Sequence, residues 1–431
     1  MSFDASPITP RHIAIVGGGI SGLAAAYLLA PVHRVTLVEA APRLGGHART
    51  VVAGRNGNQP VDTGFIVFNH INYPHLTAMF DALNVPTAKS EMSFGATIDG
   101  GRIEYGLQSL DALLANRSNL LKPQFLRMVA DILKFIRRAE TAATTPDMTI
   151  GDLMEGLKVG DWFRRYYLLP ITGAIWSTSP EQILDFPAQT LVSFFRNHNL
   201  LQYGGQHQWH TVAGGSHEYV WRLERHLRSR GVHIRTATPV QAVERGPRGV
   251  TIRIKGEDPI QADDVIMACH SDDALRLLAN PTPAERQALG MIRYQDNFAV
   301  LHCDPAQMPR KRAAWQSWVY KADHAKPNMG IGVTYWMNRL QNIDENDPLF
   351  VSLNPCDPVP DHLIYDATTF RHPVFDHDAL RGQSMIGDIQ GHNSTWFAGA
   401  YLRHGFHEDG FHSAVNVAEA IDRQTRVEVA A

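Results

Sequence analysis

Six residues, Gly17-Gly18-Gly19-Ile20-Ser21-Gly22, constrain the start of any fold open to this chain. They follow a short apolar run, His12 to Val16, and lead into Ser21 to Leu29, an alanine- and leucine-rich segment that reads as a helix. After Pro31 a second run, Arg34 to Glu39, completes the order strand, turn, helix, strand that begins a parallel sheet. In such a G-x-G-x-x-G turn Gly17 permits the tight bend, Gly19 lets backbone approach a bound group, and Gly22 lets helix pack on strand. A pyrophosphate placed there meets the positive end of the helix dipole. Glu39 lies about 20 residues further on, where an acid accepts hydrogen bonds from both ribose hydroxyls of an adenosine and disfavours a 2′-phosphate, which sets NADP aside. The bland alternative for Glu39 is a solvated strand end.

The 431 residues exceed one ordinary core, so two domains or one domain with a large insertion are expected. A formal net charge of -3 supplies no overall field of the kind that gathers nucleic acid, so no nucleic-acid partner is expected. Cys269, Cys303 and Cys356 are widely spaced and odd in number, which points to a reducing compartment and away from a disulfide framework or a zinc site. No metal is expected. Met1 to Arg11 carries no apolar run, and no stretch is long and apolar enough to span a bilayer. The expectation is a cytoplasmic protein, soluble or peripheral on the inner face of the membrane, with a homodimer left open.

Helical periodicity replaces strands between about Gly106 and Gln202, as in an inserted helical unit. Strands return from Val232 to Ala268 as a meander of His233 to Arg235, Gln241 to Glu244, Val250 to Ile254 and Val265 to Ala268. A second irregular region with scattered tryptophans and prolines runs from about Gly290 to Ser384, and Thr395 to Ile421 reads as a strand, a glycine-bearing turn and a final helix. The plan expected is a discontinuous cofactor domain over residues 1–105, 203–289 and 385–431, interrupted by substrate-domain segments 106–202 and 290–384.

Beyond Glu39 and Ala40 comes an Arg-x-Gly-Gly extension, Arg43, Leu44, Gly45, Gly46, His47 and Arg49. With the first glycines, this string resembles the flavin amine oxidase and phytoene desaturase superfamily, residue by residue over the N-terminal region. The resemblance implies FAD, its pyrophosphate lying along these glycines and the arginine. In that pattern an arginine directly follows the glycine pair, whereas here His47 stands there and Arg49 is displaced. Asp62-Thr63-Gly64-Phe65-Ile66 resembles the next superfamily segment, whose backbone passes the flavin ring; a simple turn is the alternative. Val243, ahead of the Ala268-Cys269-His270 ending, matches a residue that meets adenine through its backbone. Phe397-Ala398-Gly399-Ala400 and Gly405-Phe406-His407-Glu408-Asp409-Gly410-Phe411 resemble the C-terminal strand and helix start, which implies a helix N-terminus aimed at the flavin C2 carbonyl. Many relatives carry an acid where Ala400 stands, and no cysteine occupies this stretch, so noncovalent FAD is implied. The implied fold is α/β: a Rossmann-type, glutathione-reductase-like FAD-binding domain with an inserted α+β substrate domain, in the two-domain amine-oxidase-like architecture.

Five strings together resemble one bacterial branch of the superfamily, associated with cyclopropane-fatty-acid-synthase-like methyltransferases. They are Ala174 to Ser177, Trp315 to Tyr320, Val333 to Gln341, His372 to Asp376 and Gly405 to Gly410. The branch includes a desaturase of furan fatty acid synthesis, which implies dehydrogenation of a methyl-branched acyl chain of a phospholipid by hydride transfer to flavin N5. His407 and Glu408 are the titratable groups nearest the implied flavin and the candidate bases. Glu408 also fits a first-turn acid and Asp409 an N-cap. Phe125, Met128, Val129, Ile132, Leu133 and Ile136 recur at helical spacing opposite Arg127, Lys134 and Arg138; the stripe either packs on the protein's own core or lies on an anionic membrane. Trp176, Phe194, Phe195, Trp209, Trp318, Tyr335 and Trp336 are either core or the lining of a tunnel for a hydrophobic small molecule or acyl chain. Two other readings stay open. One is an amine oxidase, for which the resemblance implies a lysine near flavin N5 and Lys321 and Lys326 fall in the right region. The other is a flavin-binding sensor without catalysis.

Overall fold

The computed structural model describes residues 9–145, 147–176, 183–197, 207–323 and 332–430. Ser177, Lys326, the side chains of Ala174 to Trp176 and the expected boundary at 202 lie outside the described residues. Strand β1 (His12–Val16), helix α1 (Ile20–Leu29) and strand β2 (Arg34–Val38) form the expected opening unit. They belong to a five-stranded parallel sheet in the order His233–Arg235, β2, β1, Asp264–Met267, Thr395–Phe397. Ile13 to Val16 are all buried, because helices cover both faces of such a sheet and remove any polar alternation. Ala24, Ala25 and Ala26 give α1 a narrow waist, against which the final helix His407–Ala430 packs. Successive strands are added on opposite sides of β1, so the chain reverses direction between β1 and Asp264–Met267. A crevice opens at the carboxyl ends of strands at such a point.

The second large unit is a mixed sheet of seven strands. In order these are Ile364–Pro373, Tyr294–His302, Phe350–Leu353, Gly332–Trp336, Trp318–Ala322, Phe94–Ile98 and Ile103–Gly106. Two expectations are corrected here. A boundary at residue 105 cuts through this sheet, and the described stretch from 290 to 384, expected to be irregular, carries five of its seven strands. Ile364–Pro373 shows why the strands are hard to read. Its less exposed face begins Ile364, Asp366, Thr368 and its exposed face Tyr365, Ala367, Thr369, so polarity does not alternate with burial. The expected meander also divides. His233–Arg235 and Asp264–Met267 join the parallel sheet, while Val240–Gly246, Gly249–Ile254 and Ile260–Ala262 form a separate three-stranded antiparallel sheet.

In the helical segment, Pro123–Ala142 turns Phe125, Met128, Phe135 and Ala139 fully inward. Phe135 meets Phe163 and Phe195 at ring-centroid distances of 5.4 and 5.9 Å. The apolar stripe therefore packs on the protein's own core, and only Leu133 of its expected members is well exposed. No helix among the described residues is long and apolar enough to cross a membrane. Phe135→Ala is expected to cost roughly 3–5 kcal/mol in a urea titration, and Leu133→Ala under about 1 kcal/mol; equal costs would contradict this orientation of the helix.

Candidate active site

A cavity of about 620 Å3 runs from the glycine turn after β1 to the mixed sheet. Of the residues expected to hold a cofactor, its wall brings together Gly17, Gly19, Ile20, Ser21, Glu39, Gly46, His47, Gly64, Phe65, Ile66, Gly399, Ala400, Phe406 and His407. The turn is shaped by its missing side chains. Gly17 has φ 113°, and a Cβ on Gly22 would lie 1.9 Å from the carbonyl oxygen of Gly17. A Cβ on Gly19 would meet nothing within 4 Å, which leaves that backbone bare toward the cavity at the helix N-terminus. Glu39 accepts the N–H of Gly18 on Oε2 at 2.6 Å and that of Ala41 on Oε1 at 2.7 Å. A carboxylate has about four acceptor positions, so both oxygens retain capacity for ribose hydroxyls.

The other expected residues lie behind the wall, and several expectations are corrected. Arg43 donates to the carbonyls of Leu44, Gly46 and Ala48, so it braces the loop instead of facing a pyrophosphate. Arg49 is likewise turned away and paired with Asp366 at 2.6 Å. Gly45 donates its N–H to the carbonyl of Gly18 at 2.8 Å, which docks the second glycine loop on the first, and Ala40 is exposed beside Glu39. Val243 is fully buried in the core, and its carbonyl accepts the N–H of Ala279 at 3.0 Å. Asp409 accepts the backbone N–H of Phe406 at 2.9 Å and orders the turn before the final helix. Gly410 gives α1 room, because a Cβ there would sit 2.8 Å from Ile20 and Ser21; Phe411 packs in the core against His75.

Of the two candidate bases, only His407 reaches the cavity. Glu408 is buried and caps the helix Pro74–Ala82, accepting the backbone N–H groups of His75 and Leu76 at 3.0 Å each and the His75 ring at 2.6 Å. His407 does face the cavity, but its Nε2 lies 2.6 Å from the Tyr219 hydroxyl and its ring stacks on Phe65 at 3.9 Å. Desolvation lowers its pKa to about 3, which makes it a weak proton acceptor.

Three further imidazoles, His47, His270 and His372, gather in the wall, with ring centroids 5.5 Å apart for His47 and His372 and 6.0 Å for His47 and His270. Burial lowers the pKa of each, so the cluster is neutral near pH 7, in the case of His372 with a pKa of about 4. Nε2 of His47 is buried without a hydrogen-bond partner. His372 is oriented by a relay that no motif announces. The N–H of Phe298 donates to Asn354 Oδ1 at 2.8 Å, Asn354 Nδ2 donates to Asn297 Oδ1 at 2.8 Å, and Asn297 Nδ2 donates to His372 Nδ1 at 3.1 Å. With Nδ1 an acceptor, the proton of the neutral ring sits on Nε2. Asp62 has a different task. It accepts hydrogen bonds from Thr50, Ser216 and Gln341, and so pins the start of the cavity segment Thr63 to Ile66, while its own burial raises its pKa to about 6. His270, Asp272 and Asp273 approach within reach of one ion, but Arg371 already pairs with both acids.

Tyr294, Phe370, Arg371, Tyr401 and His404 also line the cavity and were not expected from the sequence. They lie on strands or turns without a spaced motif, and the available signal is adjacency: Phe370-Arg371 directly precedes the quoted His372-Pro373 string, Tyr401 directly follows Ala400, and His404 directly precedes Gly405.

The comparison with known families decides what this arrangement is. The model of the flavin containing amine oxidoreductases matches residues 20–304. The chain belongs to that family. It is an FAD-dependent oxidoreductase with the amine-oxidase-like α/β fold. Among curated relatives, L-amino acid oxidase Lm29 of Lachesis muta is 51% identical over 49 residues, 11% of this chain and 10% of that protein. The chain thus matches about a tenth of the length of such relatives. Cyclohexylamine oxidase from Brevibacterium oxydans IH-35A superposes with a TM-score of 0.68 at 15% identity, covering 96% of this chain and 99% of that one. The CLA-producing fatty acid isomerase from P. acnes superposes with a TM-score of 0.66 at 14% identity, covering 97% and 99%.

The residues present fit FAD: bare glycine backbone at a helix N-terminus, an acid with free acceptor positions, and an unpartnered imidazole nitrogen beside them. His47→Leu is expected to raise the Kd for FAD roughly tenfold, about 1.4 kcal/mol, in a fluorescence titration of apoprotein; an unchanged Kd would remove His47 from the cofactor contacts. The buried rings also set a pH dependence. In the unfolded chain histidine titrates near 6.5, whereas folded His302 and His372 titrate at about 4 and His407 at about 3. Below pH 6.5 the unfolded chain binds more protons than the folded one, so stability falls with falling pH, by roughly 1.4 kcal/mol per pH unit for each ring in the window. Asp62, raised from 3.8 to about 6, acts in the opposite direction between those values, one group against three. The melting temperature is therefore expected to drop steadily from about pH 7 to about pH 5; a flat profile would mean that these rings are not held neutral.

Proposed function

We propose that the chain desaturates a methyl-branched fatty acyl chain of a phospholipid. The observation that carries this reading is the apolar half of the cavity, bounded by Phe94, Ile171, Phe194, Trp318, Tyr335 and Phe375. Phe194 stacks on Phe406 at 5.3 Å, and Trp318 meets Tyr335 edge-on at 5.6 Å, so large rings fix its shape. Of the two carboxylates in the wall, Glu39 lies at the glycine turn, where its spare acceptor positions serve ribose hydroxyls, and Asp273 is paired with arginines. A long alkyl chain satisfies such a surface by burial alone. A fatty acid isomerase among the proteins of this fold supports an acyl occupant.

Desaturation breaks two neighbouring C–H bonds and forms one C=C bond. FAD, when bound, supplies the acceptor for the hydride and its electron pair. The protein's part is to hold the alkyl chain against the aromatic wall, keep water out, and take the remaining proton. With Glu408 spent as a cap and Nε2 of His407 engaged, His270 and His404 are rings in the wall that burial keeps neutral and able to accept it.

A second reading, oxidation of an amine to an imine with peroxide release, is favoured by the family itself. Its expected lysine finds no support at Lys321, which donates to Ala306 and pairs with Asp357 at 3.1 Å. Anaerobic mixing of the purified holoprotein with methyl-branched phospholipid is expected to bleach the oxidised flavin band and yield an alkene detectable by mass spectrometry. Bleaching by amines and not by the lipid would replace the proposal with the second reading.

A further inference from the structure

Large exposed apolar side chains are unevenly spread over this protein. Twelve are found among the described residues, and five of them, Leu107, Leu110, Leu120, Leu121 and Leu126, fall within residues 107–126. Leu110 is 75% and Leu121 85% exposed, values at which a leucine contributes little to its own fold. The segment comprises a helical turn Leu110–Leu113, a 3-10 turn Arg117–Leu121 and the first turn of Pro123–Ala142. It is held on the tip of the hairpin Phe94–Ile98/Ile103–Gly106: Asn116 and the Lys122 ammonium both donate to the carbonyl of Arg102, and Asn119 donates to that of Glu104. The leucines are thus presented on a fixed platform. This surface is separate from the inward stripe of Pro123–Ala142.

The charge around it is predominantly positive. Arg102, Arg117 and Lys122 lie in or beside the segment, and Arg310 packs over Gly101 at the hairpin tip, 3.3 Å from where its Cβ would be. Arg127 follows, paired at 3.8 Å with Asp131. The acids facing them are few. Glu104 is buried and accepts the backbone N–H groups of Arg310 and Lys311, and Glu91, which accepts from Gln108 of the segment, is paired with Arg339, which leaves Asp111 in the segment and Asp99 at the turn. A local excess of cations on a chain of net charge -3 needs an anionic partner, and projecting leucines need an apolar one. An anionic bilayer supplies both, with phosphate at the level of the guanidinium groups and acyl chain beneath. The platform also adjoins the proposed substrate cavity, since Leu107 donates its N–H to the carbonyl of Phe94 at 2.8 Å and Phe94 lines that cavity.

We propose that residues 107–126 dock the protein on an anionic phospholipid surface, inserting Leu110 and Leu121 while Arg102, Arg117, Lys122 and Arg310 meet the headgroups. The choice of a lipid surface over another anionic apolar partner rests on the phospholipid reading of the cavity, but docking is measured without turnover. The FAD-loaded full chain is sedimented with phosphatidylglycerol vesicles or phosphatidylcholine vesicles. Expected are binding to the first, at least tenfold weaker binding to the second, and weakening in about 1 M salt, where charges are screened beyond ~3 Å. The pairs Leu110→Ser with Leu121→Ser and Arg102→Glu with Arg117→Glu should each lower binding at least tenfold while flavin absorbance and melting temperature stay at wild-type values. Unchanged binding of either pair, equal binding to both vesicle types, or a dimer in sedimentation velocity that the leucine substitutions dissolve would overturn the proposal. A failure of the flavin-bleaching experiment leaves these outcomes readable, so the two ideas fall separately.

Discussion

How closely bare backbone can approach the N-terminus of α1 governs everything around it. Four distant parts of the chain converge there. Ala268 sits over Gly17, so that a Cβ on Gly17 would be 2.5 Å from its carbonyl oxygen. A Cβ on Gly46 would lie 3.1 Å from Gly19, one on Gly410 2.8 Å from Ile20 and Ser21, and one on Gly64 2.0 Å from the His47 carbonyl oxygen. No side chain fits at these crossings, and each crossing fixes one wall of the cavity. Because the parallel sheet supplies the frame, a shift at any one of them moves wall residues contributed by the others.

The polar half of the cavity is built almost without net charge. Its acids are matched by backbone N–H groups or arginines, and its histidines are neutral because desolvation outweighs every nearby attraction. A free arginine after the Gly45-Gly46 pair would put an uncompensated cation into a wall whose other half is lined by large apolar rings. His47 offers a polar atom there at a smaller desolvation cost. The helix dipole and backbone N–H groups, rather than cations, are what the turn offers to the anionic part of a dinucleotide. Directed donors take on more importance in such an environment. The relay through Asn354 and Asn297 fixes the proton of His372 on Nε2 without using any charge.

The opening unit is legible in the sequence because its physics is local. A glycine turn between two apolar runs can do few things, and Gly17, Gly19 and Glu39 lie where the spacing places them. The mixed sheet is not legible. Its strands pair over long separations, such as Phe94–Ile98 with Trp318–Ala322, and Ile364–Pro373 mixes polar and apolar residues on both faces. Periodicity reports that a strand exists and which side is buried; it carries no information on its partner.

Side-chain direction is where motif reading fails, and Arg43 and Glu408 fail for the same reason. A string such as Arg-x-Gly-Gly or His-Glu-Asp-Gly locates a backbone path, yet a charged group within it turns to whatever donors or acceptors that path leaves unsatisfied. Arg43 finds three carbonyls of its own loop. Glu408 finds the bare N–H groups at the start of Pro74–Ala82, a helix that is remote in sequence and has Pro74 at its first position. A buried carboxylate is held most firmly where several N–H groups point at it, and a helix N-terminus offers that arrangement while an apolar cavity does not. An acid in the first turn of the final helix is therefore drawn to the neighbouring helix end, and the titratable groups left facing the cavity are chiefly imidazoles, which desolvation leaves uncharged.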